Sequence, residues 1–283
     1  MDHGPYLQRR RRPSGQAVTL SSADDSGHAH ADHRIELEFI DHVLVVAFDR
    51  PEVRNAFDQA MYRAVAGALS GGLGDDDVHA VVLTGRGKAF TSGQDLREMV
   101  AIATGEADSE AGSGFQDLLD LLMRFDKPLL AAVHGVGMGL GCSILGHVDL
   151  VLMDESARLR APFAEMGVPP EAASSFLLPA RMGWQQASLA LLASEWISAP
   201  QAVSCGLALR SCPDGTVLAE TLELARTIAS FPAHATRRIK HLMLQARGPA
   251  VSDARRREEA AFADLFADPD VNPGEQLAAG LGA

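Results

Sequence analysis

The chain has few of the features that would cross-link it covalently or hold it in a membrane. Cysteine occurs three times in 283 residues and never as a C-x-x-C pair, so neither a disulfide framework nor a zinc site is indicated, and a cytoplasmic location is expected. No apolar run reaches the about 20 residues of a membrane-spanning helix, so we expect no membrane insertion. Lys and Arg number 25 against 37 Asp and Glu, and the net charge of −12 disfavours nucleic acid as a partner.

Several motifs of cofactor and hydrolase chemistry are also missing. A glycine run from Gly135 to Gly141 follows a predicted strand, but no register of it gives G-x-G-x-x-G, which disfavours dinucleotide binding. Neither G-x-x-x-x-G-K-[ST] nor G-x-S-x-G occurs, which disfavours phosphate-loop and serine-hydrolase chemistry. Three histidines, His28, His30 and His33, lie in a polar segment without a scaffold and are better explained as solvated residues. We therefore expect no metal or redox cofactor.

The order of strand and helix patterns predicts an α/β fold. Residues 1–33 are polar and are predicted to form a disordered tail, residues 34–230 the core, and residues 231–283 a helical C-terminal region. Alternating residues predict a hairpin over 35–48 with its turn at Asp41-His42.

Helices are predicted by apolar periodicity and by their terminating residues. One is expected over 58–70, ended by Gly71 and Gly72. Amphipathic helices are expected over 217–229 and 233–245, and a separate last helix is expected to end near Phe266.

Two glycine loops each join a buried strand to the start of a helix. The first leads from 81–85 to 93–96, and the second from 130–133 to 139–141. Backbone N–H groups are unpaired at a helix start, and glycine lets a ligand approach them closely. Two such groups converging on one point form an oxyanion hole, although either junction alone is more often a simple turn.

Three segments together resemble the crotonase superfamily, the enoyl-CoA hydratases and isomerases. They are Arg50-Pro-Glu-Val-Arg-Asn-Ala56, the segment from Val81 to Leu96, and Ala131-Ala-Val-His-Gly135 continued to Cys142. The resemblance extends from about Glu36 to at least Arg247. It implies a crotonase (ClpP-like) fold of repeated ββα turns with a helical trimerisation region, assembly into a homotrimer or hexamer, and an acyl-CoA substrate. Coenzyme A is then part of the substrate thioester, and no other cofactor is implied.

The resemblance also implies roles for individual positions. The backbone N–H groups of Gln94 and Leu140 would hold the thioester oxygen, although the family usually has glycine where Leu140 stands. The carbonyl of Ser92 would accept from the adenine amine, and Arg54 would lie near the CoA phosphates, unless it is a plain surface cation. The remaining positions expected to contact the substrate are Ala56, Gly93, Asp95, Leu96 and Gly139, and capping of the following helix is the better explanation of Asp95.

The acid–base residues distinguish between the reactions of the superfamily. Typical hydratases carry two glutamates, and the matching positions here resemble Ser143 and Phe163, which cannot transfer protons as carboxylates do. The segment 161–175 instead resembles the peroxisomal-type Δ3,Δ2-enoyl-CoA isomerases and their bacterial relatives, whose glutamate corresponds to Glu171. One carboxylate suffices for isomerisation, and a raised pKa in an apolar pocket would suit it.

Other interpretations stay open at this point. Glu171 follows two prolines and can be a first-turn residue that favours the helix dipole. The protein can also be a hydratase with an unusual base, a thioester hydrolase, or a CoA-ester binder without catalysis.

Overall fold

The computed structural model describes residues 18–20, 34–103 and 113–268. Ten strands lie in these ranges: β1 (Val18–Leu20), β2 (Ile35–Ile40), β3 (Val43–Phe48), β4 (Ala80–Gly85), β5 (Leu129–Val133), β6 (Val136–Met138), β7 (Leu150–Asp154), β8 (Arg158–Arg160), β9 (Ile197–Ser198) and β10 (Arg210–Cys212). The α-helices there are α1 (Gln59–Gly74), α2 (Leu96–Ala103), α3 (Ser113–Arg124), α4 (Leu140–Ser143), α5 (Ser174–Met182), α6 (Trp184–Leu192), α7 (Ala199–Cys205), α8 (Val217–Ala229) and α9 (Ala233–Ala267). Among these helices, none is both long enough and apolar enough to cross a membrane.

The predicted hairpin is present. β2 and β3 pair antiparallel with Ile40 opposite Val43, so Asp41 and His42 form a two-residue turn. Both turn residues have positive φ, 48° and 66°, as the tightest hairpin turn requires.

One strand lies inside the segment predicted to be a disordered tail. β1 pairs antiparallel with β2, Val18 opposite Phe39, so the prediction was wrong for these three residues. An edge strand offers unpaired backbone groups to any nearby chain, which explains why so short a segment can add to the sheet. The rest of 1–33, with the three histidines, lies outside the described residues.

The main sheet confirms the α/β class. Its strand order is β1-β2-β3-β4-β5-β7-β10, with antiparallel pairing up to β3 and parallel pairing from β3 to β10. Parallel strands with helices on both faces are apolar along their whole length. In β4, Val81 and Leu83 join the core under α1 and α3, whereas Ala80 and Val82 face α8.

Helix α1 continues past the two glycines predicted to end it and stops at Gly74. A Cβ at Gly72 would lie 2.9 Å from Leu44 Cδ2, so a small residue is needed where the helix meets the sheet. Gly72 therefore serves helix–sheet packing, which outweighs its low helix propensity.

Helix α9 is continuous where two helices were predicted, although Pro249 lies within it. Proline removes one backbone hydrogen bond, at a cost of about 3 kcal/mol in a helix interior. Contacts on both sides of Pro249 hold the helix together. Lys240 Nζ lies 2.8 Å from Asp149 Oδ2 in a mostly buried ion pair, and further along the helix Glu258 is buried against the start of α5.

Candidate active site

The two glycine loops lie against each other. Thr91 N donates to Val136 O at 3.2 Å, and Met138 N donates to Thr91 O at 3.0 Å, so the loop after β4 pairs with β6. Gly93 has φ of +89°, and a Cβ there would lie 2.5 Å from Met138 O and 3.3 Å from Leu140 N. A side chain at this position would push the loops apart, so glycine is needed for their contact.

Two backbone donors next to this contact have no acceptor among the described residues. In the described part of the chain, neither Gln94 N nor Leu140 N donates a backbone hydrogen bond. Leu140 is the first residue of α4, and its N-cap Gly139 has no side chain to cap the helix. Both N–H groups are therefore unpaired within the described residues, as the donors of an oxyanion hole must be.

Asn55 holds the first loop in place, a role that the sequence analysis missed. Its buried Nδ2 donates to the carbonyls of Arg86 and Ala89, and its Oδ1 accepts from Arg50 N. Asn55 itself has a positive φ of 58°, and its carbonyl accepts from Thr91 Oγ1. The asparagine of the first matching segment was the available signal, because asparagine tolerates this conformation and can bridge several backbone groups.

The positions predicted to contact coenzyme A lie around the same loop. Arg54 is exposed, and its carbonyl accepts from Ser92 N at 2.9 Å. Ala56 is buried, and its carbonyl accepts from Arg50 Nη1. The roles of these residues toward a substrate stay predictions.

Asp95 caps α2, the more ordinary of its two explanations. Its Oδ1 accepts from Arg97 N at 3.2 Å, and its Oδ2 lies 3.4 Å from Arg50 Nη1. Leu96 is the first residue of this helix. The carboxylate is thus engaged by protein groups on both oxygens.

Glu171 and Gln94 line one cavity of about 290 Å³. Much of the wall is apolar and is supplied by Met99, Phe115, Leu119, Ala172, Phe262 and Phe266. Glu171 is 9% exposed, and within the described residues no group donates a hydrogen bond to its carboxylate. Burial, and secondly the charge of Glu258, raise the pKa of Glu171 to about 8.

The helix-dipole explanation of Glu171 does not fit the structure. Helix α5 begins at Ser174, three residues later, and Ala172 and Ala173 both have positive φ. The side chain of Glu171 therefore lies outside the first helical turn, and it lines the cavity instead.

The positions where hydratases carry their two glutamates offer no second carboxylate. Ser143 is buried, and its hydroxyl is 3.4 Å from Leu140 O. Phe163 belongs to the hydrophobic core. Glu165 is half-exposed and pairs with Arg160.

Glu258 is a second carboxylate at the cavity, which the sequence analysis did not identify. It lies on α9, is 5% exposed and lines the same cavity as Glu171. Because 86 residues separate the two glutamates and the last helix has the pattern of a charged surface helix, no local pattern pointed to it.

A buried tyrosine lies within the electrostatic field of Glu171. The Tyr62 hydroxyl has no hydrogen-bond partner in the part of the chain that the structure describes. Burial, then the charge of Glu171, raise the pKa of Tyr62 well above its usual value. The hydroxyl is thus held in its neutral form.

The described residues contain no cluster of three or more His, Cys, Asp or Glu side chains suited to a metal ion.

Comparison with known proteins agrees with this geometry. Residues 38–278 match the family described as enoyl-CoA hydratase/isomerase. Enoyl-CoA delta isomerase 2 of Rattus norvegicus is 29% identical over 232 residues, which are 81% of this chain and 59% of that protein. A probable enoyl-CoA hydratase of Rhodobacter capsulatus is 32% identical over 222 residues, 78% of this chain and 79% of that protein. The crystal structure of an enoyl-CoA hydratase/isomerase from Pseudoalteromonas atlantica T6c superposes with a TM-score of 0.82 at 32% identity, covering 88% of this chain and 97% of that one.

These likenesses extend over most of the chain. The chain spans less than two thirds of the length of the delta isomerases that it matches. The solved relative, by contrast, is covered almost completely, and the expected crotonase fold with a helical C-terminal region is confirmed. Both the paired glycine loops and the overall architecture lead to one conclusion: the chain belongs to the enoyl-CoA hydratase/isomerase family.

Proposed function

We propose that this enzyme isomerises 3-enoyl-CoA esters to 2-enoyl-CoA esters, with Glu171 as the single acid–base group. The observation that carries the proposal is a glutamate whose carboxylate accepts no hydrogen bond from the described residues and that shares a mainly apolar cavity with Gln94. The Glu171 carboxylate is thus available to a ligand, whereas Asp95 and Glu258 are engaged by backbone N–H groups.

The proposed reaction moves one proton and one double bond. The Glu171 carboxylate takes the proton from C2 of the acyl chain, and the electrons of that C–H bond delocalise into a dienolate. The backbone N–H groups of Gln94 and Leu140 would stabilise the negative thioester oxygen. Glu171 then returns the same proton to C4, which leaves the double bond between C2 and C3.

The pKa of Glu171 suits both steps. A base that becomes an acid in the next step works best when its pKa lies near the working pH. With a pKa of about 8, about one-tenth of the groups are ionised at pH 7, and the protonated form is stable enough to donate. Isomerase activity is therefore expected to rise with pH through about 8, as the carboxylate form becomes dominant.

Hydration of 2-enoyl-CoA is the second candidate, favoured by the probable hydratase among the relatives. Hydration needs one group to activate water and another to protonate carbon. Neither Ser143 nor Phe163 supplies that second group. A thioester hydrolase or a CoA-ester binder without catalysis would also retain the family's fold.

The test compares Glu171→Gln with Glu165→Gln, a change at a half-exposed carboxylate in the same segment. Purified proteins would be offered trans-3-hexenoyl-CoA and, separately, crotonyl-CoA, with products identified by chromatography. We expect kcat of Glu171→Gln on the 3-enoyl ester to fall about 10²- to 10⁴-fold, the usual contribution of general acid–base catalysis, while acyl-CoA binding persists. Glu165→Gln should keep the wild-type rate.

Other results would exclude Glu171 as the acid–base group or would support a different function. Full isomerase activity in Glu171→Gln excludes Glu171 as the acid–base group. Addition of water to crotonyl-CoA supports a hydratase, release of free CoA supports a hydrolase, and saturable binding without turnover supports a CoA-ester binder.

A further inference from the structure

The segment that carries Glu171 has an unusual backbone. Ala172 and Ala173 follow it with φ values of 58° and 56°, a left-handed conformation that residues with a Cβ rarely adopt. Two consecutive alanines do not hold this conformation by themselves. The surrounding structure must therefore impose it.

Helix α5 starts directly after this segment without a capping side chain of its own. Its N-cap is Ala173, which has no oxygen to accept from the first N–H groups of the helix. Glu258 of α9 supplies the missing acceptors. Its Oε2 accepts from Ala173 N at 2.7 Å, and its Oε1 accepts from Ser175 N at 2.8 Å.

A second contact holds the segment from the other side. His147 Nε2 lies 2.8 Å from the carbonyl oxygen of Ala172. Burial lowers the pKa of His147 to about 4. The hydrogen bond to Ala172 opposes this shift, and nearby cationic side chains add to it. The ring is therefore neutral and donates through Nε2. The two left-handed residues are thus fixed between a carboxylate and an imidazole.

We propose that Glu258 is a positioning residue for Glu171: by binding the N–H groups of Ala173 and Ser175, it fixes the strained segment that directs Glu171 into the cavity. The proposal rests on the proposed function of Glu171. It assigns to the last helix a role in the reaction besides that of lining the cavity.

The hydrogen bonds of Glu258 fit a positioning role for this residue better than a role in proton transfer. Both oxygens of Glu258 accept backbone N–H groups, whereas the carboxylate of Glu171 accepts none from the described residues. A carboxylate engaged in this way is held in one orientation and is a poor proton carrier. Glu258 is therefore not the missing second acid–base group of a hydratase.

Glu258 also acts on Glu171 through its charge. After burial, the negative charge of Glu258 is the other cause of the raised pKa of Glu171. Within the described residues, other charged or titratable groups around this pair are Arg257 and the Arg255–Glu259 pair on α9, Asp120 on α3, Tyr62 on α1, and the neutral His147. Arg255 pairs with Asp120 and Glu259, so its charge is largely neutralised there.

The test uses the full chain with Glu258→Ala and Glu258→Gln, and Asp253→Asn as the control. Asp253 is a half-exposed carboxylate on the same helix, paired with Arg256, and it is not one of the residues that line the cavity. Hydrogen–deuterium exchange of the peptide covering 171–177 is measured without substrate. Exchange should accelerate in Glu258→Ala, because Ala173 and Ser175 lose their acceptor, and stay unchanged in Asp253→Asn.

Kinetics supply the readout that a merely structural role would not change. In both Glu258 variants we expect kcat on the 3-enoyl ester to fall by at least about 10-fold with KM within about 3-fold, since misplacement by about 1 Å can reduce a rate 100-fold. The acid limb of the pH–rate profile of Glu258→Gln should move to lower pH, because a neutral amide no longer opposes ionisation of Glu171. Glu258→Gln keeps one acceptor oxygen, so it serves if Glu258→Ala does not fold.

The two proposals can fail separately. If the wild-type protein does not isomerise 3-enoyl-CoA, the proposed function fails and the exchange experiment alone decides whether Glu258 holds the segment. Unchanged exchange in the Glu258 variants, or wild-type kcat and pH profile in an active enzyme, overturns the positioning role.

Discussion

Burial beside a second carboxylate favours the protonated form of Glu171, which is the less stable form in water at neutral pH. The pKa of Glu171 is raised from 4.5 to about 8, first by burial and then by Glu258. Between these values the native state binds a proton that the unfolded chain releases. The contribution to stability is therefore fully present below about pH 4.5 and is lost as the pH rises through 8.

Replacing Glu171 by Gln should remove this dependence. We expect the free energy of unfolding of Glu171→Gln to exceed that of the wild type at pH 8.5 by up to about 4 kcal/mol, and the two to converge at pH 4.5. Urea unfolding at both pH values measures the difference. Glu165→Gln should show the wild-type pH dependence, and parallel curves for Glu171→Gln and wild type would contradict the raised pKa.

At the level of the elements, the two glycine loops that follow β4 and β5 leave little room for side chains where they meet. Gly93 is constrained twice, by its positive φ and by Met138 O, which a Cβ would approach to 2.5 Å. Gly215, in the turn before α8, has φ of +83°, but a Cβ added there would have no neighbour within 4 Å. Comparing alanine substitutions at the two positions therefore separates the effect of backbone strain from the effect of the contact between the loops.

Gly93→Ala should therefore impair the site, and Gly215→Ala only the stability. We expect kcat of Gly93→Ala to fall about 100-fold or more, comparable to loss of one oxyanion donor, because the Gln94 and Leu140 N–H groups separate. Gly215→Ala should keep its activity and lose about 1 kcal/mol of stability. Steady-state kinetics and urea unfolding of both variants test this, and equal activity of the two would argue against the importance of the loop contact.

At the scale of the whole molecule, α9 has two different faces. One face is tied to the core through Lys240 and Glu258. On another face, Ile239, Leu242 and Met243 are 60%, 58% and 60% exposed at helical spacing. We propose that this apolar stripe lies between copies of the chain in the predicted homotrimer or hexamer.

Leu242→Glu is expected to weaken that assembly. A charge at the centre of an apolar interface would be buried without a partner, so sedimentation should shift toward the monomer at micromolar concentration. His241→Glu places the same charge on another side of the helix and should leave the assembly unchanged. A wild-type sedimentation profile for Leu242→Glu would exclude the stripe as the interface.

Local patterns were sufficient to predict several parts of this protein. The hairpin of β2 and β3 depends on alternation and on a two-residue turn, both of which lie within 14 consecutive residues. The glycine loops and Glu171 were identified from short segments that resemble the family. Their chemistry depends on the backbone and on single side chains, which a linear motif records.

Contacts between distant segments decided the rest. Gly72 lies inside α1 and does not end it, because the helix needs a small residue where it packs against Leu44 of the sheet. Helix α9 continues through Pro249, because other elements hold both of its halves. Glu258 reaches the backbone of Ala173 across 85 residues. Local sequence patterns were thus enough to predict the α/β class, the family and Glu171 as the candidate acid–base residue. The identity of the second carboxylate beside Glu171 depended on the fold, because burial and charge pairing arise only when distant segments pack together.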